Sequence, residues 1–235
     1  MQRFFDIFFS GLGLLVLSPL LIPVMIVLRL TGEGEIFYIQ QRVGKSGNPF
    51  GLFKFATMLK ASPDMLTGAI TVKGDPRVLP FGRILRKTKI NELPQLINIF
   101  IGHMSIVGPR PQTPRCFAAF SREVQETIIK IRPGLTGIGS IIFRDEESLL
   151  HNVENPITFY DNVIAPYKGT LELWYIKHHS LQNYFLIIFI TGWVVFYPNS
   201  KIIWEYFKDL PKPPKEIMMG GPSISSNNDP IKSNQ

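Results

Sequence analysis

Cysteine is nearly absent. The chain has one, Cys116, so no intramolecular disulfide can form and a reducing compartment is the natural setting. No Cys/His spacing suits a structural zinc. With only Arg115 nearby to depress its pKa, Cys116 reads as a small packing residue rather than a reactive thiol. Acidic charge is also scarce: 18 Asp and Glu stand against 25 Lys and Arg, for a net charge of +7. That balance implies an anionic partner, whether nucleic acid, lipid headgroup or phosphorylated small molecule. The chain carries no signature of a nucleic-acid recognition module, so no nucleic acid is expected. Internal repeats are missing too, and 235 residues suit one compact domain with appendages rather than two large ones.

What is plentiful is apolar length at the N-terminus. Ile7 to Leu28 contains no charged residue, a run of about 22 residues that at ~1.5 Å each can cross a ~30 Å hydrocarbon core. No small-x-small cleavage site precedes the basic body, which argues against a cleaved signal. Ser18-Pro19 lies mid-run and Pro23 one turn later; each proline removes a backbone donor, so a kink is expected near Ser18. Arg3 and Arg29 flank the run, giving little positive-inside asymmetry. Two topologies stay open: a kinked spanning helix, and one that dips in and returns. In both, the basic body lies against an anionic leaflet.

In the body, Ile36–Ile39 and Phe50–Phe55 flank the turn Gly44-Lys45-Ser46-Gly47-Asn48-Pro49, the pattern of a small β-hairpin within Glu35 to Phe55. Met58 to Thr71 reads as a loop or short helix. From Lys73 to Lys89 six basic residues face the single acid Asp75. Leu93, Leu96, Ile97 and Phe100 recur at helical spacing, so a helix over Glu92 to Ile101 is expected, capped by Asn91, with Pro94 in its first turn and Gly102 as its stop. A second helix is expected from Pro114 to Ile131. Tyr184 to Tyr197 is uncharged and aromatic, too short to span, and suited to the membrane interface, the core or a second copy of the chain. Pro, Ser, Asn and Gly dominate from Pro211 onward, the composition of disorder.

Phosphate chemistry asks for cations or backbone donors on the phosphate oxygens and a metal held by carboxylate. Glu92 suits Mg²⁺ completed by water and phosphates, a helix N-terminus offers free N–H groups, and Arg110 in Gly108-Pro109-Arg110-Pro111 suits bidentate grip on a phosphate. Each also has a plainer structural role: Glu92 on the helix dipole, Asn91 as cap, Arg110 in a surface ion pair.

The ordered set Phe37-Tyr38-Ile39-Gln40-Gln41-Arg42-Val43-Gly44, Lys54-Phe55-Ala56-Thr57-Met58, Asp75-Pro76-Arg77, Gly82-Arg83-Ile84-Leu85-Arg86-Lys87-Thr88, Asn91-Glu92-Leu93-Pro94-Gln95-Leu96, Ser105-Ile106-Val107-Gly108-Pro109-Arg110-Pro111 and Arg132-Pro133-Gly134-Leu135-Thr136-Gly137 closely resembles the bacterial sugar transferase family. These are the monotopic phosphoglycosyl transferases that act on polyprenol phosphate. The resemblance implies an α+β, mainly helical fold with a re-entrant membrane helix over 1–30 broken at Ser18-Pro19, a small β-hairpin and amphipathic interfacial helices. It implies a transferase domain over 31–208 with an interfacial apolar segment at 184–197, followed by a disordered tail at 209–235. It also implies transfer of a sugar 1-phosphate from a UDP-sugar to undecaprenyl phosphate, with Mg²⁺, at the cytoplasmic face of the bacterial inner membrane. That step initiates O-antigen, capsule, exopolysaccharide or glycoprotein glycan assembly.

In the family an Asp-Glu dyad carries the reaction, the Asp as nucleophile on the β-phosphorus and the Glu with Mg²⁺. Glu92 matches the Glu, whereas Asn91 stands at the Asp position, and a neutral amide is a poor phosphorus nucleophile. The family's Lys-Phe-Arg-Ser-Met, Gly-Asp-Met-Ser and Trp-Ala-Gln also appear here as Lys54-Phe55-Ala56-Thr57-Met58, Gly102-His103-Met104-Ser105 and Ile138-Gly139-Ser140. Three accounts follow: Glu92 as nucleophile; direct attack by the acceptor on the donor, with Asn91 donating to the β-phosphate; or a catalytically silent protein that binds nucleotide sugar or scaffolds glycan assembly. Lys54, Arg77, Arg86, Arg110 and Arg132 are the candidate phosphate contacts, with membrane-surface or internal ion-pair roles as the alternative. His178 and His179 are expected near the interface rather than in catalysis.

Overall fold

The computed structural model describes residues 1–62, 65, 74–151 and 153–218. Helix α1 (Gln2–Leu30) runs unbroken through Pro19 and Pro23, so the break expected at Ser18-Pro19 does not interrupt it. Pro19 has no N–H for the carbonyl of Leu15, and the Ser18 hydroxyl donates to that carbonyl at 2.7 Å instead. The Ser-Pro pair thus removes one backbone bond and replaces it with a side-chain bond, which matters most where water is absent. Strands β1 (Phe37–Val43) and β2 (Pro49–Phe55) pair antiparallel in the register Tyr38↔Lys54, Gln40↔Leu52 and Arg42↔Phe50. This is the expected hairpin.

Helix α2 (Pro80–Lys87) leads through the 3-10 turn Ile90–Glu92 into α3 (Gln95–Ile101), which Gly102 ends at φ 100°. The helix therefore starts three residues later than the sequence pattern suggests, and Asn91 is not its cap. Lys89, at φ 60°, turns the chain and the carbonyl of Lys89 accepts from Glu92 N at 3.1 Å, leaving Asn91 buried inside the 3-10 turn. Pro94 occupies the N-cap of α3.

Strands β3 (Ser105–Val107) and β4 (Gly134–Thr136) form a parallel pair. Between them lie α4 (Pro114–Ala118) and α5 (Arg122–Ile128), two helices where one is expected. The break falls at Ser121, whose hydroxyl caps α5 by accepting from Val124 N, a start signal that outcompetes continuation of α4. The chain continues through α6 (Ile138–Ile142), α7 (Glu146–His151), α8 (Pro156–Phe159), α9 (Ala165–Lys177), α10 (Leu181–Phe196), α11 (Ile202–Tyr206) and α12 (Lys215–Met218).

Three apolar clusters hold these parts. The largest gathers α5, α6, α9 and α10 around Ile138, Ile164, Leu171, Ile187 and Ile190. A second packs Leu21, Val24 and Leu28 of α1 on Phe55 and Leu85, with Ile90 and Leu93 against it. The third joins the hairpin to α3 through Phe50, Leu52, Leu96, Ile99 and Met104.

Helix α1 is tied down at its start as well. Arg3 donates to the carbonyls of Ile99 and Phe100, and Asp6 accepts from Ser105 Oγ, Ile106 N and Tyr184 Oη, each at 2.9 Å. One face of the helix thus follows the domain along its length, while Phe4, Phe8, Leu15, Ile22 and Ile26 stay exposed. Leu210 is buried and Tyr167 Oη donates to the Pro211 carbonyl, so the start of the expected tail packs on the domain; residues 219–235 lie outside the described residues. Of the Met58 to Thr71 segment, Met58 forms an isolated bridge to Val78, and 63–64 and 66–73, Lys73 included, lie outside them as well.

Candidate active site

The Ile90–Glu92 turn is seated by its own apolar flanks. Ile90 and Leu93 pack into the cluster formed with Leu21, Val24 and Leu28 of α1, which fixes the turn between them and places the chemistry directly on the apolar helix. Asn91 is 6% exposed, and its Oδ1 is buried without a partner. Glu92 Oε1 accepts from Arg110 Nη2 at 2.9 Å.

The Arg110 loop is held from two sides. Gly108 N donates to the Thr136 carbonyl at 3.0 Å and Gly134 N to the Pro109 carbonyl at 2.7 Å. A Cβ on Gly134 would lie 2.1 Å from Gly108 N, so the close backbone approach requires glycine there. From the other side β1 contributes Val43 N to the Gln112 carbonyl and Arg42 Nη1 to the Pro111 carbonyl, both at 2.9 Å.

The register places Lys54, Leu52 and Phe50 on one face of the hairpin with Tyr38, Gln40 and Arg42. Phe50 and Leu52 pack on α3, so the same alternation carries Arg42 and Lys54 toward the Glu92 turn. Burial, reinforced by Arg42 with Arg110 and Arg86, pulls the Lys54 ammonium down to about 7, with Glu92 opposing. Burial and Arg110 lower Arg42 to about 10. For Glu92, burial would raise the pKa, but Arg110 and Lys54 outweigh it and hold the carboxyl at about 2. Burial and a crowd of cations together set these shifts.

The expected phosphate contacts differ in their partners. Arg110 pairs with Glu92, on which the Lys54 charge also acts, and among the described residues the Lys54 ammonium makes no hydrogen bond or ion pair. Arg86 pairs with Glu147 and touches Met58 Sδ. Arg132 Nε donates to the Gly102 carbonyl at 2.9 Å. Arg77 is buried against Asp75, its Nη1 donating to the carbonyls of Ser62 and Met65, the internal ion-pair role that stood as the alternative. His178 pairs with Asp209 and His179 with Gln2.

A family model described as Bacterial sugar transferase matches residues 1–198. The chain belongs to the bacterial sugar transferase family. This family member is 38% identical over 151 residues to the exopolysaccharide production protein PSS of Rhizobium leguminosarum bv. phaseoli, covering 60% of this chain and 73% of the relative. It is 32% identical over 194 residues to the UDP-glucose:undecaprenyl-phosphate glucose-1-phosphate transferase of Escherichia coli K12, covering 81% of this chain and 39% of that protein. It is 37% identical over 185 residues to the exopolysaccharide production protein ExoY of Sinorhizobium fredii, covering 70% and 81%. The chain thus spans most of the two rhizobial relatives and well under half of the enterobacterial one.

Among the described residues no group of three or more His, Cys, Asp or Glu stands together as a metal cage. The donors present are the Glu92 carboxylate and the unpartnered, buried Asn91 Oδ1. That set suits a Mg²⁺ shared with substrate phosphates and water and does not suit an all-protein site.

Two site residues escape sequence reasoning. Arg42 sits in a quoted motif but is not singled out there. Glu172, 2% exposed, accepts from Arg110 N at 3.3 Å; its only signal is an acid inside the apolar run Leu171-Glu172-Leu173-Trp174.

Proposed function

We propose that the chain transfers a sugar 1-phosphate from a UDP-sugar to undecaprenyl phosphate, the activity named for several of its relatives. The carrying observation is the cation-ringed Glu92 turn seated on α1, which sets an anion site against an apolar helix. A soluble nucleotide diphosphate and a lipid phosphate can meet only at such a boundary.

Transfer is direct. Asn91 is neutral, and the Glu92 carboxylate is engaged by the Arg110 guanidinium, which draws on the lone pairs that a nucleophile would need. An oxygen of the lipid phosphate attacks the donor's β-phosphorus, the bond to the bridging oxygen breaks, and UMP leaves with the electron pair. Arg42, Lys54 and Arg110 bind the phosphate oxygens and stabilise the charge that develops. Lys54, half neutral near pH 7 when the site is empty, takes up a proton as the diphosphate arrives. Glu92 and Asn91 Oδ1 are the residues that would hold Mg²⁺, which when bound supplies further charge neutralisation on the diphosphate.

Helix α1 is read as monotopic, seated in one leaflet without crossing. Its first residues, Gln2, Arg3 and Asp6, touch the same domain as Leu21 to Leu28, so both ends belong on one side, the cytoplasmic face of the inner membrane. The exposed aromatics of α10, Phe189, Trp193 and Phe196, extend the lipid-facing surface as an interfacial segment.

The test is UMP release by the full chain in nanodiscs with UDP-glucose and UDP-N-acetylgalactosamine. Release requires undecaprenyl phosphate and Mg²⁺, and Glu92→Gln lowers it by about a hundredfold or more. Binding of UDP without turnover, unchanged in Glu92→Gln, would instead establish the silent, nucleotide-sugar-binding role that Asn91 favours.

A further inference from the structure

Glu172 lies on α9, away from the motifs, yet its carboxylate reaches the Arg110 loop. Oε1 accepts from Arg110 N at 3.3 Å, and Oε2 is buried with no partner. A buried carboxylate with half its acceptor capacity unmet is costly, and such groups persist where they hold something in place. Burial pushes its pKa up to about 7, against the Arg110 N–H bond and the charges of Lys168 and Arg110.

The groups around it are accounted for. Lys168, one turn earlier on α9, is committed to Glu146 at 2.7 and 2.8 Å, and Tyr175 Oη donates to the Val107 carbonyl. The remaining neighbour is Gly139 of α6. A Cβ there would lie 2.6 Å from Glu172 Oε1, so the carboxylate would have to shift.

We propose that Glu172 is a positioning residue that clamps the Arg110 backbone and thereby aims its guanidinium at Glu92 and the donor phosphates, and that Gly139 is its obligatory partner because its missing side chain is the space the acid occupies. The donor contact rests on the proposed function, whereas the clamp stands on geometry alone. Holding the backbone N–H fixes where the side chain begins; the Glu92 pair at 2.9 Å fixes where it ends. A methyl at position 139 pushes the carboxylate out of reach of Arg110. Shortening the acid to Asp withdraws the carboxylate by about 1.5 Å and breaks the same bond from the other side.

The experiment pairs hydrogen exchange at residues 108–112 with calorimetric titration of UDP and Mg²⁺ into the full chain in nanodiscs, for the wild type, Gly139→Ala, Glu172→Asp, Glu172→Gln and Gly139→Ala/Glu172→Asp. Gly139→Ala and Glu172→Asp each speed exchange at the Arg110 amide and weaken UDP binding by about tenfold, and because both remove the same bond the double variant stays within about threefold of either single variant. Glu172→Gln, which keeps an acceptor of the same length, retains slow exchange. Unchanged exchange in Gly139→Ala or in Glu172→Asp, or losses that multiply in the double variant, would overturn the clamp. Wild type that fails to bind UDP while the exchange pattern holds would remove the donor reading and leave the clamp standing.

Discussion

At the scale of single residues the site is defined by charge imbalance, and the imbalance has a thermodynamic signature. Glu172 titrates near 7 in the folded chain and at 4.5 when free, so between those values the folded state binds more protons than the unfolded one and stability falls as pH rises. Lys54 titrates near 7 rather than 10.5; there the unfolded state binds more protons, and stability rises from pH 7 to 10.5. The two limbs meet in a minimum near neutrality. Chemical unfolding in detergent from pH 5 to 10 is expected to show that minimum, with Glu172→Gln flattening the acid limb and Lys54→Met the alkaline limb. Limbs unaffected by these changes would mean that the two groups are not held as described. Asn91 belongs at this scale too: its Oδ1 is buried without a partner, while Glu92 is paired with Arg110.

At the scale of elements, Ser18 and Pro19 act as a unit. The Ser18 hydroxyl serves the Leu15 carbonyl that Pro19 leaves orphaned, so Ser18→Ala should destabilise the chain by about 1–2 kcal/mol. Adding Pro19→Ala should restore that loss, because residue 19 then has its own N–H for Leu15. Thermal unfolding of both variants in nanodiscs reads the difference, and a double variant as unstable as Ser18→Ala would refute the pairing.

The hairpin was legible in sequence because Gly44 to Pro49 is rich in turn formers between two apolar strands, and the end of α3 because Gly102 adopts the left-handed conformation that glycine favours. The start of α3 was not. It depends on Lys89 at φ 60°, and nothing about a lysine announces positive φ, so Asn91 read as a cap when tertiary packing of Ile90 and Leu93 had made it the centre of a 3-10 turn. The division of α4 from α5 turns on Ser121, a capping residue within a stretch that otherwise reads as continuous helix. Glu172 was illegible for a different reason: its role exists only once α9 packs beside a loop about sixty residues earlier in the chain.

At the scale of the whole molecule, the apolar helix carries the candidate site, since Leu21, Val24 and Leu28 seat the Glu92 turn while Asp6 and Arg3 bind the opposite end of the same helix to α10, β3 and α3. Both ends should therefore face one compartment. The sole native cysteine is buried, so a cysteine appended before Met1 and one at Ser46 can be labelled cleanly in sealed vesicles. Both are expected to react from the same side, and opposite-side labelling would establish a spanning helix.

The proposed transfer without a covalent enzyme intermediate is tested most directly by intact-protein mass spectrometry after incubation with UDP-sugar and Mg²⁺, with and without undecaprenyl phosphate. The predicted result is an unmodified mass in both samples and UMP only where the lipid phosphate is present. A phosphosugar adduct on the protein, or UMP formed without the acceptor, would contradict it.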